Sequence, residues 1–232
     1  MLEARELNVA YGGVQAVVDL SLRIEPGRIT ALLGPNGAGK TSVLRAISGL
    51  MPHGGSVAVD GVVVSDPEVL RSLGVIHVPQ GRGLFRRLTV AQNLALGAYG
   101  RPAAEVRRAI ADVENRFEHL ARWKSRPVGS LSGGEQVIVT IGRLLVGNPR
   151  FALLDELSLG LAPVAVDRLY DEILALRDQG VGILLVEQYP ARALAVADEV
   201  VALERGSLSW SGIPAELGGA EQIMKDYLGA RR

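Results

Sequence analysis

Three groups of residues in this chain have the types and spacing to do chemistry. Gly34, Pro35, Asn36, Gly37, Ala38, Gly39, Lys40 and Thr41 follow the pattern G-x-x-x-x-G-K-T, a loop that cradles phosphate groups. Gly37 and Gly39 permit backbone geometries that turn successive N–H groups toward phosphate oxygens. A helix starting near Lys40 adds the positive end of its dipole. The Lys40 ammonium would neutralise β- and γ-phosphate charge, and the Thr41 hydroxyl can ligate Mg²⁺. Asn36, Ala38 and Ser42 lie within or beside the same loop and count with it as nucleotide-contacting positions. The second group is Asp155 and Glu156, delivered at the end of the apolar run Phe151, Ala152, Leu153, Leu154. Asp155 is expected to hold Mg²⁺, directly or through water, and Glu156 to act as general base or polariser of an attacking water. Taken alone, an acidic pair at a strand end is common. The third group is Leu131, Ser132, Gly133, Gly134, Glu135 and Gln136. Ser132 and Glu135 form a capping box at the head of a helix. Capping does not explain two glycines at positions where helix propensity is poor. Bare backbone at a helix N-terminus is what close approach to a γ-phosphate requires.

Short apolar strands alternating with helical patterns must position these groups, and that alternation predicts an α/β fold with a largely parallel sheet. Residues 29–33, 151–155 and 183–187 read as buried strands, each followed by a polar loop and a helix. Residues 2–24 read differently, as short alternating segments broken by Gly12 and Gly13, with Glu25, Pro26 and Gly27 after them. Residues 57–59 and 62–64, joined by Asp60 and Gly61, predict a hairpin, so an antiparallel β element is expected beside the parallel core. In the middle of the chain Val106, Ile110, Val113, Phe117, Leu120 and Trp123 recur at helical spacing, predicting one amphipathic helix packed into a helical lobe. Thr89 and Gln92 predict a capping box, and Gly147, Asn148 and Pro149 a helix stop. Gly218 and Gly219 read as a linker before a last helix carrying Ile223, Met224, Tyr227 and Leu228.

With 232 residues, 48% hydrophobic but only 4% aromatic, the chain can bury one domain core built mainly of Val, Leu, Ile and Ala. Lys+Arg and Asp+Glu both total 25, and this balance argues against nucleic acid as a partner. There are no cysteines, which excludes disulfides and thiolate metal sites. No stretch approaches the roughly 18 apolar residues of a membrane span, and the residues from Met1 to Arg5 do not read as a cleavable signal. The expected location is cytoplasmic, with any membrane work done through a partner. The only lysines are Lys40, Lys124 and Lys225, and one of them sits in the phosphate cradle.

The phosphate loop taken with residues 131–136 resembles the ATP-binding cassette (ABC) family, and the likeness runs over nearly the whole chain. It implies a P-loop NTPase fold of ABC type: a RecA-like parallel core, an antiparallel β element and an inserted, mainly helical subdomain at residues 87–146 of a single domain spanning residues 1–232. It implies ATP and Mg²⁺ as cofactors. It further implies that Ser132, Gly133, Gly134 and Gln136 of one subunit close over nucleotide held by a second ABC ATPase, the same chain or a sister subunit. Tyr11 matches the aromatic that stacks on adenine in this family; as a residue alone, a strand tyrosine is more often packing. Gln80 matches the Q-loop glutamine that links Mg²⁺ to the permease-facing lobe. Residues 158–163 match the loop that crosses the dimer interface, and Gln188 occupies the switch position where most of the family carries histidine.

Several segments look like one branch, the smaller ATPase of importers for branched-chain amino acids and related polar solutes. These are residues 81–94, Ile141 to Arg143, residues 158–163, residues 185–188 and residues 227–229. The resemblance implies an ATPase subunit at the inner face of the cell membrane, bound to membrane permease subunits and served indirectly by an external solute-binding protein. Phe85, Arg86 and Arg87 would then face the permease; without the resemblance they read as a solvated basic turn with one buried phenylalanine. Gln188 can donate a hydrogen bond to a phosphate oxygen but cannot titrate near neutral pH. Leu157 stands where proline is usual in the family, and Gln80 where this branch often has Glu. Two alternatives remain on the sequence: a soluble scaffold-assembly ATPase, and the ATPase of a lipid or lipopolysaccharide exporter.

Overall fold

The computed structural model describes residues 1–187 and 190–217. In chain order these form β1 (Leu2–Tyr11), β2 (Val14–Ile24), β3 (Ile29–Leu33), α1 (Lys40–Ile47), β4 (Gly54–Val59), β5 (Val62–Val63), α2 (Pro67–Ser72) and β6 (Val75–Val78). After a short 3₁₀ turn at Gln80–Gly83 come α3 (Val90–Gly97), α4 (Ala103–Arg116), α5 (Glu118–Trp123) and α6 (Gly133–Val146). The remainder is β7 (Phe151–Asp155), α7 (Pro163–Asp178), β8 (Gly182–Val186), α8 (Pro190–Val196), β9 (Glu199–Glu204) and β10 (Ser207–Gly212). The chain divides into two compact units. One comprises Met1–His77, Arg150–Glu156 and the described residues from Leu176 onward; the other comprises Val78–Pro149 and Leu157–Ala175.

The first unit contains two sheets. The antiparallel sheet has the order β2-β1-β4-β5, and the other runs β10-β9-β3-β8-β7-β6, with β3, β8, β7 and β9 parallel where they pair. Every residue of β3, β7 and β8 is buried, the reason these segments read as unbroken apolar runs rather than alternating ones. α1 contributes Val43, Leu44, Ala46 and Ile47 to a core shared with Leu2, Leu7, Leu20 and Ile24 of the antiparallel sheet and Leu32, Leu153, Leu184 and Val201 of the other. The two opening strands are longer than their sequence suggests. Register shifts between β1 and β2, with Glu6 and Asp19 in left-handed backbone, break the alternation that a flat strand would show. The predicted hairpin is present: Val59 pairs with Val62 across Asp60 and Gly61, both at positive φ.

The second unit is mainly helical. Residues 103–123 are not one helix: α4 ends at Arg116, and Phe117, at φ −124° and ψ 80°, breaks the chain before α5. Val113, Phe117 and Leu120 are buried on either side of this break, so the periodicity predicted the inward face but not the bend. Packing explains why Gly142 lies inside α6. A β-carbon there would come 2.9 Å from Leu120, 3.1 Å from Leu94 and 3.2 Å from Val113, so α3, α4 and α5 approach α6 at a bare backbone position. The capping boxes predicted at Thr89 and Ser132 both form. α6 stops where expected, but its left-handed residue is Asn148 (φ 55°), not Gly147. The predicted last helix, with Ile223, Met224, Tyr227 and Leu228 after Gly218 and Gly219, lies outside the described residues.

Candidate functional site

In the first unit, strand order brings the chemistry together. β3, β8 and β7 are neighbours, Leu32 pairs with Val186, and Val186 pairs with Asp155. The start of the phosphate loop, the buried Glu187 just past β8 and the acidic pair therefore stand level at the carboxyl ends of adjacent parallel strands. The loop itself ends at Gly39, the residue before α1, with φ 101° and no side chain capping the helix. A β-carbon at Gly39 would come 2.3 Å from the carbonyl oxygen of Ala16, so both its backbone angle and its closeness to β2 demand glycine. Gly37 is also left-handed (φ 81°) but faces open space, as a residue that approaches a ligand should.

Lys40 is 5% exposed, and its ammonium donates to the carbonyls of Gly34 (2.8 Å) and Pro35 (3.1 Å). Burial holds its pKa below the usual lysine range, while the carboxylates of Glu156 and Asp155 push it back up. Asp155 is buried and its pKa is raised, chiefly by that burial. The nearby Thr41 hydroxyl works against the rise, although neither carboxylate oxygen accepts a hydrogen bond of good geometry among the described residues. Glu156 leaves β7 in left-handed backbone (φ 48°), its N–H held by the carbonyl of Val186 at 2.9 Å. Leu157 follows it as a buried apolar residue. Tyr11, 41% exposed at the end of β1, places its hydroxyl 3.3 Å from that of Ser42. Tyr11 thus stands with Lys40, Thr41, Ser42, Asp155 and Glu156 in one unit.

In the second unit, the Ser132 hydroxyl accepts from the N–H of Glu135 (3.3 Å), and the Glu135 carboxylate accepts from the N–H of Ser132 (2.7 Å). That backbone hydrogen bond, more than any other contact, lowers the Glu135 pKa. A cleft of about 510 Å³ opens at this helix head, bordered by Ser132, Gly133, Gly134, Gly160, Leu161 and Trp123. β-Carbons at Gly133 and Gly134 would each come 3.3 Å from a neighbour, the side chains of Leu161 and Ala165. The two glycines therefore let the segment after the acidic pair pack closely, a role beyond the bare backbone expected for them. The Gln136 amide is engaged within the unit: it donates to the carbonyl of Leu131 (3.0 Å) and accepts from Arg82 (3.2 Å).

Residues 17–158 match the ABC transporter family. This chain belongs to that family. It is 35% identical to the high-affinity branched-chain amino acid transport ATP-binding protein BraG of Pseudomonas aeruginosa, over 99% of this chain and 100% of that protein. It is also 35% identical to the lipopolysaccharide export system ATP-binding protein LptB of Escherichia coli K12, over 98% of this chain and 97% of that protein. A solved ATP-binding subunit of an ABC transporter superimposes with a TM-score of 0.80 at 28% identity, covering 94% of this chain and 91% of that one. The protein is therefore an ABC-type ATPase, and its sheets and phosphate loop are those of a P-loop cassette.

Two further expectations for this ABC ATPase lie outside the first unit's cluster. Gln80 opens the 3₁₀ turn of the second unit. Gln188 lies outside the described residues. Phe85 is not a buried residue in a basic turn: it is 55% exposed, with Arg86 and Arg87 exposed beside it. Sequence reasoning missed the residue that shapes this turn. Asn93 is fully buried; its carboxamide accepts from the N–H of Phe85 (2.9 Å) and donates to the carbonyls of Phe85 (3.1 Å), Leu88 (3.3 Å) and Thr89 (2.9 Å). An asparagine between the apolar Val90 and Leu94 was the available signal, since a buried amide must find partners. Arg82 and Arg143 stood in the sequence only as members of the branch-like segments, with no role assigned to either. No helix among the described residues is long and apolar enough to cross a membrane.

Proposed function

We propose that this ATPase energises a membrane permease that imports branched-chain amino acids or related small polar solutes. The observation carrying the substrate class is the end-to-end match to the Pseudomonas branched-chain amino acid ATPase, which spans 100% of that protein. The permease subunits meet the exposed turn of Phe85, Arg86 and Arg87, the solute is delivered by an external binding protein, and the ATPase sits at the cytoplasmic face of the membrane. Tyr11 stacks on adenine, the loop from Asn36 to Ser42 holds the phosphates, and Lys40 neutralises their charge. Two buried, unsatisfied carboxylate oxygens on Asp155 near the Thr41 hydroxyl suit a divalent cation. Mg²⁺ held by Thr41 and Asp155 would supply charge neutralisation to the β- and γ-phosphates.

Glu156 accepts the proton of the attacking water or polarises it, and its fixed strand-end backbone sets the aim. Ser132, Gly133 and Gly134 close over nucleotide held by a second ATPase subunit, identical or sister, with Gln136 ordering the loop behind them. Gln188 donates to the γ-phosphate. Substituting Glu156→Gln should lower turnover on the order of 10²- to 10⁴-fold while ATP still binds. Wild-type turnover in that variant would remove Glu156 from its role.

The equal identity to the Escherichia coli lipopolysaccharide export ATPase supports a second reading, in which the permease exports lipid. Leucine uptake by cells with and without this chain separates the two. Uptake lost on deletion and restored by the wild type, but not by Glu156→Gln, supports import. Unchanged uptake together with a defect in surface lipopolysaccharide overturns it in favour of export.

A further inference from the structure

Arg82 belongs to none of the nucleotide-contacting groups, yet it touches the segment of one of them, at Gln136, and the loop after the acidic pair, at Leu159. It lies in the 3₁₀ turn Gln80–Gly83, where both Gly81 (φ 76°) and Arg82 itself (φ 71°) adopt left-handed backbone. For a residue with a β-carbon this conformation is strained and persists only when its surroundings enforce it. The enforcing contacts are visible. Arg143 donates to the carbonyl oxygens of Gly83 (2.7 Å) and Arg82 (3.4 Å), while the Arg82 guanidinium donates to the Gln136 carboxamide (3.2 Å) and to the carbonyl of Leu159 (3.3 Å). Gln136 and Arg143 lie two turns apart on one face of α6, about 10 Å along its axis. The turn is therefore fastened to α6 at two points, and at a third to the segment that follows the acidic pair. All of these residues belong to the same unit.

The chemistry of the pin is particular to arginine. Arg82 forms no ion pair among the described residues, its Nε is buried without a partner, and burial lowers its pKa. A partly buried cation that meets only neutral carbonyl oxygens is costly to keep, and the fork of the guanidinium is what lets one side chain reach two different segments at once. A lysine ammonium is a single point and cannot span both in the same way. Gln136 in turn holds Leu131, at the entrance to Ser132. The connection thus runs from the turn that begins at Gln80, through Arg82 and Gln136, to the head of α6, and in parallel through Leu159 to the glycine-packed segment at Gly160 and Leu161.

We propose that Arg82 is a positioning residue that locks the Gln80 turn, the Ser132 helix head and the loop after the acidic pair into one arm, so that they move together when nucleotide is enclosed. The proposal rests on the reading that Ser132 to Gly134 close over nucleotide in a second subunit. It assigns coupling, not chemistry, to Arg82: ATP binding at the Lys40 loop does not depend on it, and closure does.

The test uses the full-length Glu156→Gln protein, alone and combined with Arg82→Met or Arg82→Lys. Methionine keeps the length of the stem and carries the same left-handed backbone cost, and lysine keeps the charge but loses the fork. Two quantities are read. Hydrogen exchange of residues 131–136 and 158–162 should speed up roughly 10- to 100-fold in both Arg82 variants, as expected for lost charge-assisted hydrogen bonds, while exchange in α1 stays unchanged. The ATP concentration giving half-maximal dimer by light scattering should rise by about tenfold or more, while nucleotide affinity of the dilute monomer stays within about twofold. Unchanged exchange in either segment overturns the pin. Faster exchange with an unchanged dimer midpoint overturns the coupling. If Glu156→Gln alone forms no ATP-dependent dimer, the closure reading between identical subunits is what has failed, and the exchange data alone decide whether Arg82 fastens the arm. Wild-type behaviour in Arg82→Lys with loss in Arg82→Met would overturn the role of the fork.

Discussion

The Lys40 ammonium donates to the carbonyl oxygen of Gly34 at 2.8 Å, closing the phosphate loop on its own first residue. Together with the 3.1 Å bond to Pro35, this keeps a buried cation satisfied by loop backbone and holds the loop in a cradle shape before nucleotide arrives. Phosphate oxygens carry full negative charge, so they are better acceptors than these carbonyls, and nucleotide should draw the ammonium across.

Lys40→Met is therefore expected to lower turnover on the order of 10²- to 10³-fold, the usual loss when one donor to a developing oxyanion is removed. Its melting temperature without nucleotide should change little, because the desolvation cost of the ammonium disappears along with its two bonds. Phosphate release and thermal melts with and without ATP check both parts. A variant that hydrolyses ATP at the wild-type rate would show that the ammonium does not reach the phosphates.

Asp155 gives a prediction for stability as well as for cation binding. Its folded pKa is raised by burial, so the folded protein holds the proton more tightly than the unfolded chain. Stability from this group is then greatest at low pH and falls as pH rises through the raised pKa. Asp155→Asn removes the buried charge, so at pH 7.5 in chelator the variant should melt at or above the wild-type temperature. Addition of Mg²⁺ with ATP should raise the wild-type melting temperature clearly and that of the variant much less. A destabilised Asp155→Asn protein that keeps its full Mg²⁺ response would refute both the strain and the cation assignment.

Tyr11 stands exposed at the end of β1 with its hydroxyl beside Ser42. Stacking of a base on an aromatic side chain is worth about 1–3 kcal/mol, so Tyr11→Ala should weaken ATP binding roughly 5- to 150-fold. Tyr11→Trp should retain affinity and Tyr11→Phe should lose little, since the ring and not the hydroxyl does the stacking. Titration with a fluorescent ATP analogue reads this, and equal affinities for the alanine and tryptophan variants would make the tyrosine a packing residue.

Local order was legible in the sequence where one short segment carried the whole signal. The phosphate loop, the buried strands at Ile29 and Phe151, and the capping boxes at Thr89 and Ser132 each follow from residues within a few positions of one another. What sequence could not give depends on contacts between distant segments. The chain breaks at Phe117, and Val113 of α4 and Leu120 of α5 both approach α6 at Gly142, an arrangement between segments that a period of 3.6 does not encode. Arg82 looked like one of several arginines in a polar loop, and its bonds reach residues far along the chain in α6 and beyond β7. The second use of Gly133 and Gly134 was hidden for the same reason, because Leu161 and Ala165 are brought to them only by folding.

His77, near the end of β6, supplies the clearest pH prediction. Its Nδ1 lies 3.3 Å from the Ser48 hydroxyl, and its Nε2 is buried with no partner among the described residues. Burial, reinforced by the nearby positive charge of Arg45, lowers its pKa from 6.5 to about 4. The unfolded chain therefore takes up the proton first, so stability from the neutral ring is fully present above pH 6.5 and is lost as pH falls toward 4. Each unit of difference corresponds to about 1.4 kcal/mol, so the loss across this window is on the order of 2–3 kcal/mol once residual solvent contact is allowed for. His77→Gln, which keeps a hydrogen-bonding side chain but cannot titrate, should flatten the pH dependence of urea unfolding between pH 6.5 and 4.5 while staying within about 1 kcal/mol of wild type at pH 7.5. An unchanged slope in that variant would mean that acid sensitivity in this window comes from another group and that the His77 ring is protonated without cost.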